Sequence, residues 1–249
     1  MCQQCDDISR RRLLQLSAAA AAAALAGCQT ETASQELPLP YSYDDHIIAE
    51  RPGPPVTIDP RTIHVPPPAP PQSSDYGQII PRKSWTTSPL TLARGRPMDG
   101  VQRITIHHSG DGKPFLQDSV ADTARHLQIV QHAHLQRGMI DIAYHFAVDR
   151  AGRLWQLRWL SYEGQHVRIG RTGIRWNEHN VGIVVLGDFN LQSPTTAQRD
   201  RLFSLVRLVR EKYAVNPAAI KMHGELVETD CPGKHMLPWI REARAHHLL

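Results

Sequence analysis

The run Val181-Gly-Ile-Val-Val-Leu186 constrains this chain most. Six residues without a charged side chain have no polar face to turn to water, and they are too few for a buried helix. They read as a central strand covered on both sides. The flanking sequence supplies covers for such a strand. Ser119 with Asp122 has the form of a helix N-cap, and Val120, Ala124, Leu127, Val130 and His134 follow at helical spacing until Gly138. Thr195 with Gln198 opens a second helix with Leu202, Leu205, Val206, Val209 and Tyr213 on one face, stopped at Asn216-Pro217. A last helix starts near Pro238. Arg103 to Ile106 reads as a strand, and Ala143–Val148 with Leu154–Leu157 as a hairpin around Asp149-Arg150-Ala151-Gly152. Strands alternating with helices predict an α/β fold, a single domain with a central mixed β-sheet flanked by helices.

That domain spans residues 75–249. Residues 1–27 read as an export signal: Arg10-Arg11-Arg12, then a short Ala-rich stretch from Leu13 to Ala26, too short to span a bilayer. The paired arginines resemble the twin-arginine type, and Leu25-Ala26-Gly27-Cys28 resembles a bacterial lipoprotein box, in which Cys28 is lipidated. The chain is therefore expected to be exported and lipid-anchored to a membrane through Cys28, on the periplasmic face and, from Gln29, at the outer membrane. Residues 28–74 are dominated by proline, including Pro66-Pro67-Pro68-Ala69-Pro70-Pro71, and read as a tether. The net charge of +4 comes from scattered Lys and Arg, and aromatics are 6% of residues. With neither a basic stripe nor an aromatic platform, nucleic acid is not an expected partner.

Four cysteines, three of them before residue 29, exclude a disulfide framework in the domain. Cys231 is then a lone thiol in an oxidising compartment, which a metal bond would explain. His107 and His108 end the first strand, and His223 precedes Cys231 in a loop turned by Pro232-Gly233. One His from the strand with a His and a Cys from the loop makes the three-ligand set of a catalytic zinc site. Strand alternation puts His108 on the face of Ile104 and Ile106, and His107 on the other. If both long helices cover the isoleucine face, His107 faces a groove. The residue types alone leave two other readings open. A buried Cys can be a small hydrophobe, and a structural zinc site could take His235 or Asp230 as fourth ligand. His134 reads as a core residue, and His126 and His132 as solvated surface.

Four segments occur in order: Ile104-Thr-Ile-His-His-Ser109, Asp141-Ile-Ala-Tyr-His-Phe146, Val181-Gly-Ile-Val-Val-Leu-Gly-Asp-Phe189, and His223 with Thr229-Asp-Cys-Pro-Gly233. Together they resemble the zinc-dependent N-acetylmuramoyl-L-alanine amidases, which share a fold with peptidoglycan recognition proteins and phage-type lysozyme amidases. Ile80-Pro-Arg-Lys-Ser-Trp85 is similar to the family's opening segment. The resemblance implies zinc held by His107, His223 and Cys231, with Tyr144 and Thr229 catalytic. It implies hydrolysis of the amide between N-acetylmuramic acid and L-alanine. His166, in Gly164-Gln165-His166, falls where the family lines its substrate groove. Asn180 and His108 are further expected substrate contacts. Trp155, Trp159 and Trp176 could stack on sugar, and Arg168, Arg171 and Arg175 could meet peptide carboxylates. The expected partner is peptidoglycan or a muropeptide, and the expected state a monomer. Two rivals share this reading: a non-catalytic peptidoglycan-binding module on the same fold, and a zinc hydrolase of another peptidoglycan amide.

Overall fold

A computed structural model describes residues 78–88, 95–169 and 173–249. The signal segment, the tether, Cys28 and Arg171 lie outside the described residues. Strands β1 (Ile79–Ile80), β2 (Arg103–His108), β3 (Phe146–Val148), β4 (Leu154–Gln156), β5 (Asn180–Val185) and β6 (Ile220–Met222) form one sheet in the order β1-β4-β3-β5-β2-β6. β3 and β4 pair antiparallel as a hairpin, and the other named neighbours run parallel. The helices are α1 (Val120–Gln136), α2 (Thr196–Tyr213) and α3 (Leu237–Ala245). The mixed, helix-flanked sheet is the expected fold class.

β5 lies between β3 and β2 and is buried along its whole length, as the apolar run requires. Its alternating side chains sort into two cores. Val181, Ile183 and Val185 pack with Ile104 and Ile106 of β2, Leu202, Leu205, Val206 and Val209 of α2, and Ile240 of α3. Val184 and Leu186 pack on the other side with Trp155 of β4 and Leu127 and Val130 of α1. Each sealed isoleucine or valine contributes roughly 1.5–3 kcal/mol of transfer free energy. The expectation that both long helices cover the Ile104 and Ile106 face is corrected. A strand apolar on both sides needs a cover on each, so α1 and α2 take opposite faces.

The caps explain where the helices begin and end. Ser119 accepts a hydrogen bond from the Asp122 N–H at the start of α1. Thr195 and Gln198 form a reciprocal capping box on α2. α2 ends with Ala214 in the left-handed region at φ 52°, two residues before the expected stop at Asn216. The chain then turns into β6, a strand too short for periodicity to reveal. β3 begins at Phe146 rather than Ala143. The Ala143 N–H donates to His134 Nδ1 at 3.1 Å, off the sheet, so the backbone before Phe146 is a braced loop.

Candidate metal centre and groove

Two neighbouring parallel strands deliver the two imidazoles. Ile106 of β2 registers with Met222 of β6. The next residue on each chain is His107 and His223, so both rings emerge at the same strand ends, with centroids 4.5 Å apart. The third side chain returns through a tight loop in which the Gly224 N–H donates to the Cys231 carbonyl at 2.9 Å. A Cβ on Gly224 would stand 2.9 Å from the Thr229 carbonyl oxygen, so the loop closes this tightly because residue 224 is glycine. His107 Nδ1 lies 3.7 Å from Cys231 Sγ. One ligand atom from each of His107, His223 and Cys231 lies within 4.8 Å of the others, and all three residues are buried.

This donor set could hold a metal ion, and two nitrogens with one sulfur suit zinc. Both ring nitrogens of His223 are buried without a hydrogen-bond partner, a costly state that a cation would relieve. Among the described residues no fourth His, Cys, Asp or Glu joins the cluster. Asp230 and His235 are exposed, so the reading with a fourth protein ligand finds no support. Burial, with Arg168 and His108 adding to it, pushes His223 down to about 3. Burial and then the neighbouring His223, His166 and His108 hold His107 well below the usual imidazole range. Both rings are therefore neutral near pH 7, with lone pairs to offer. Burial pushes the Cys231 thiol up to about 12, against the His108 N–H that stabilises the thiolate. A cation binding here must displace that proton.

Beside the cluster runs a groove lined by His134, Tyr144, His166, Arg168, His223 and Thr229. The Tyr144 ring is 5.1 Å from that of His107. Its loop is cross-braced by two buried arginines. The Asp141 carboxylate pairs with Arg82 at 3.0 Å and accepts from Gln131 Nε2 and the Ile142 N–H, each at 2.7 Å. Arg158 donates to the Ile142 carbonyl at 3.0 Å and the Asp141 carbonyl at 3.3 Å. Sequence reasoning missed this brace. Its available signals were Arg82 in the opening segment and Asp141 three residues before the tyrosine.

Thr229 is exposed at the groove, and its Oγ1 accepts from the Cys231 N–H at 3.3 Å. Of three expected substrate contacts, two are turned inward and one lines the groove. His108 is buried on the opposite face, because adjacent strand residues alternate. Its Nδ1 accepts from the Phe189 N–H at 3.1 Å, and its own N–H reaches Cys231 Sγ at 3.4 Å. Asn180 is fully buried, accepting from Thr105 Oγ1 at 3.0 Å and donating to the Trp176 carbonyl at 2.6 Å. His166 lines the groove, and its ring nitrogens lie 3.0 Å from His107 Nε2 and 3.2 Å from the Asn180 carbonyl oxygen.

Other expectations divide. Trp155 is core, its Nε1 donating to Asp149 at 2.8 Å, and Trp176 lies under the Arg103 guanidinium. Trp159 is half-buried. Arg168 bonds the Glu228 carbonyl at 3.1 Å beside the groove, whereas Arg175 pairs with Glu163 and Glu178. His126, expected as solvated surface, instead sits 3.2 Å from Asp111 and stacks on Phe115. His134 is the buried core residue expected.

A family model described as N-acetylmuramoyl-L-alanine amidase matches residues 95–234. A peptidoglycan-recognition protein of Drosophila simulans is 27% identical over 162 residues, covering 65% of this chain and 84% of its own. The N-acetylmuramoyl-L-alanine amidase of Homo sapiens is 28% identical over 173 residues, covering 66% of this chain and 28% of its own. Among solved structures, wild-type Drosophila PGRP-LB superposes with a TM-score of 0.56 at 26% identity, covering 66% of this chain and 92% of its own.

Proposed function

The chain belongs to the N-acetylmuramoyl-L-alanine amidase family, and from that premise we propose that it is a zinc-dependent enzyme cleaving the amide between N-acetylmuramic acid and L-alanine in peptidoglycan. One observation carries the reading. His107, His223 and Cys231 converge, with no fourth His, Cys, Asp or Glu among the described residues, at a groove that also holds Tyr144. Three protein ligands leave a coordination position for chemistry, whereas structural sites close it with a fourth.

His107 and His223, neutral through burial, and Cys231 as thiolate would hold the ion. When bound, zinc supplies Lewis acidity, making water nucleophilic near neutral pH and polarising the amide carbonyl. The chain does the rest. Tyr144, held rigid by the Asp141 brace, donates its phenol proton toward the oxyanion that develops on the carbonyl. Removing one such donor costs roughly 10²–10³ in turnover. Thr229 spends its lone pair on the Cys231 N–H, which holds the ligand loop, and offers its hydroxyl proton to substrate in the groove. Arg168, beside the same groove, suits the carboxylates of a peptide stem. The exported, lipid-anchored location through Cys28 belongs to the same proposal and rests on the sequence of residues 1–74.

The test is digestion of purified peptidoglycan sacculi with and without a chelator, read by mass spectrometry. Stem peptides with a free L-alanine amine, lost on chelation, are expected. Intact glycopeptides with retained binding would refute catalysis and leave a binding module. Cleaved stems with the muramic linkage intact would move the reaction to another amide.

A further inference from the structure

His166 holds a position that catalysis as described above leaves unused. Its ring is seated against the backbone of β5, where a Cβ on Gly182 would come within 2.4 Å of its Cδ2. A Cβ on Gly164 would come equally close, at 2.4 Å, so two glycines make the slot. The loop is clamped there. The N–H groups of His166 and Val167 both donate to Asn177 Oδ1, at 3.1 and 3.0 Å. Asn177 Nδ2 donates back to the Val167 carbonyl at 2.6 Å.

The two ring nitrogens of His166 then have fixed partners. Nε2 stands 3.2 Å from the Asn180 carbonyl oxygen. A carbonyl only accepts, so Nε2 carries the proton. A neutral imidazole has one such proton, which leaves a lone pair on Nδ1. That atom is 3.0 Å from His107 Nε2, which must therefore donate. The remaining nitrogen of His107, Nδ1, is bare, and it is the one facing Cys231 Sγ. The direction of the whole chain is set by a backbone carbonyl on a central strand, which cannot reverse its role.

We propose that His166 is a positioning residue for the metal centre, selecting the His107 tautomer with a bare Nδ1 and holding that ring toward Cys231 and His223. The inference rests on the metal-binding reading of the cluster. Partners of this kind, behind a ligating histidine, typically contribute 10–100-fold to metal affinity.

Two near-isosteric variants of the full chain test it. His166→Leu places a methyl where Nδ1 stands, and His166→Asn places an amide oxygen there. Zinc dissociation constants are measured by competition with a chromogenic chelator. His166→Leu is expected to weaken zinc by about 10–100-fold, and His166→Asn to recover most of that loss. Equal affinity in the two variants, whether both intact or both impaired, overturns the proposal, because a purely structural role does not distinguish them. Should the leucine variant fail to fold, long-range ¹H–¹⁵N spectra of the unsubstituted chain decide instead. Protons on Nε2 of both His166 and His107 are expected, and a proton on His166 Nδ1 overturns the relay. Absence of zinc binding by the unsubstituted chain would sink the metal-centre reading itself, and the same spectra would still judge the relay.

Discussion

Acid should destabilise this domain through His134, and the size of the effect follows from its surroundings. The ring is buried on α1, and its Nδ1 accepts the Ala143 N–H at 3.1 Å. Protonating that nitrogen would set two donors against each other at a largely buried site. Burial first, then Arg137 and Arg158, pushes His134 from 6.5 down to about 3. Between those two values the unfolded chain binds a proton that the folded chain refuses. Stability is therefore complete above the unfolded value of 6.5, declines as pH falls below it, and levels off near 3. At pH 5 the gap of about 1.5 units corresponds to roughly 2 kcal/mol from this one residue. His145 is pushed down to about 3 as well, mainly by burial, and adds a similar loss. His134→Asn keeps an acceptor for the Ala143 N–H but cannot take up the proton. Urea unfolding of both proteins in chelator, at about pH 7 and pH 5, gives the double difference. The asparagine variant is expected to lose about 2 kcal/mol less than the unsubstituted chain across that interval. Its helix-propensity cost is common to both pH values and cancels. Equal losses in the two proteins would refute the claim that His134 is held neutral by burial.

Four further outcomes are expected. Tyr144→Phe should keep stoichiometric zinc, measured by elemental analysis, while turnover on muropeptide falls roughly 10²–10³-fold; near-normal turnover would remove the tyrosine from the reaction. Asp141→Ala leaves Arg82 buried without its partner and should cost about 3–5 kcal/mol by urea unfolding, with Tyr144 losing its brace and turnover falling too. Gly182→Ala forces a Cβ to within 2.4 Å of the His166 ring, and should lower stability by about 1–3 kcal/mol; an unchanged unfolding midpoint would show that the ring moves without cost. Zinc added to the metal-free protein at pH 7 should release at least one proton, the one on Cys231, measurable by titration in buffers of differing ionisation enthalpy; release of none would mean that the thiol is already ionised.

Much of this was legible because it rests on local pattern. The two-sided apolar run at Val181 placed β5, and Ser119 and Thr195 marked both long helices by their side-chain caps. Alternation separates the adjacent His107 and His108 onto two faces, and the choice of His107 falls on the face where the cluster forms. It nevertheless leaned on a false premise about α1, since an amphipathic stripe shows that a helix is covered without showing which side of the sheet covers it. β1 and β6 span two and three residues, below the length at which periodicity speaks. The inward hydrogen bonds of His166 and Asn180 escape a sequence reading for a different reason. Polar residues near a groove resemble ligand contacts in sequence, and only three-dimensional partners reveal that their hydrogen bonds are already committed inward. The brace of Arg82, Asp141 and Arg158 draws on separate parts of the chain, and although Arg82 and Asp141 stand in the family-like segments, nothing local says that they pair.

The register of Ile106 with Met222 has an outcome for assembly. His107 and Cys231 are 124 positions apart, so on the proposed reading an ion held between them would clip early and late parts of the domain together. No shorter stretch of the chain holds all three donors. On that reading a domain lacking either part would lack the complete donor set. Metal occupancy would then report that β6 has paired with β2, and the proposed reactivity would wait on the same pairing.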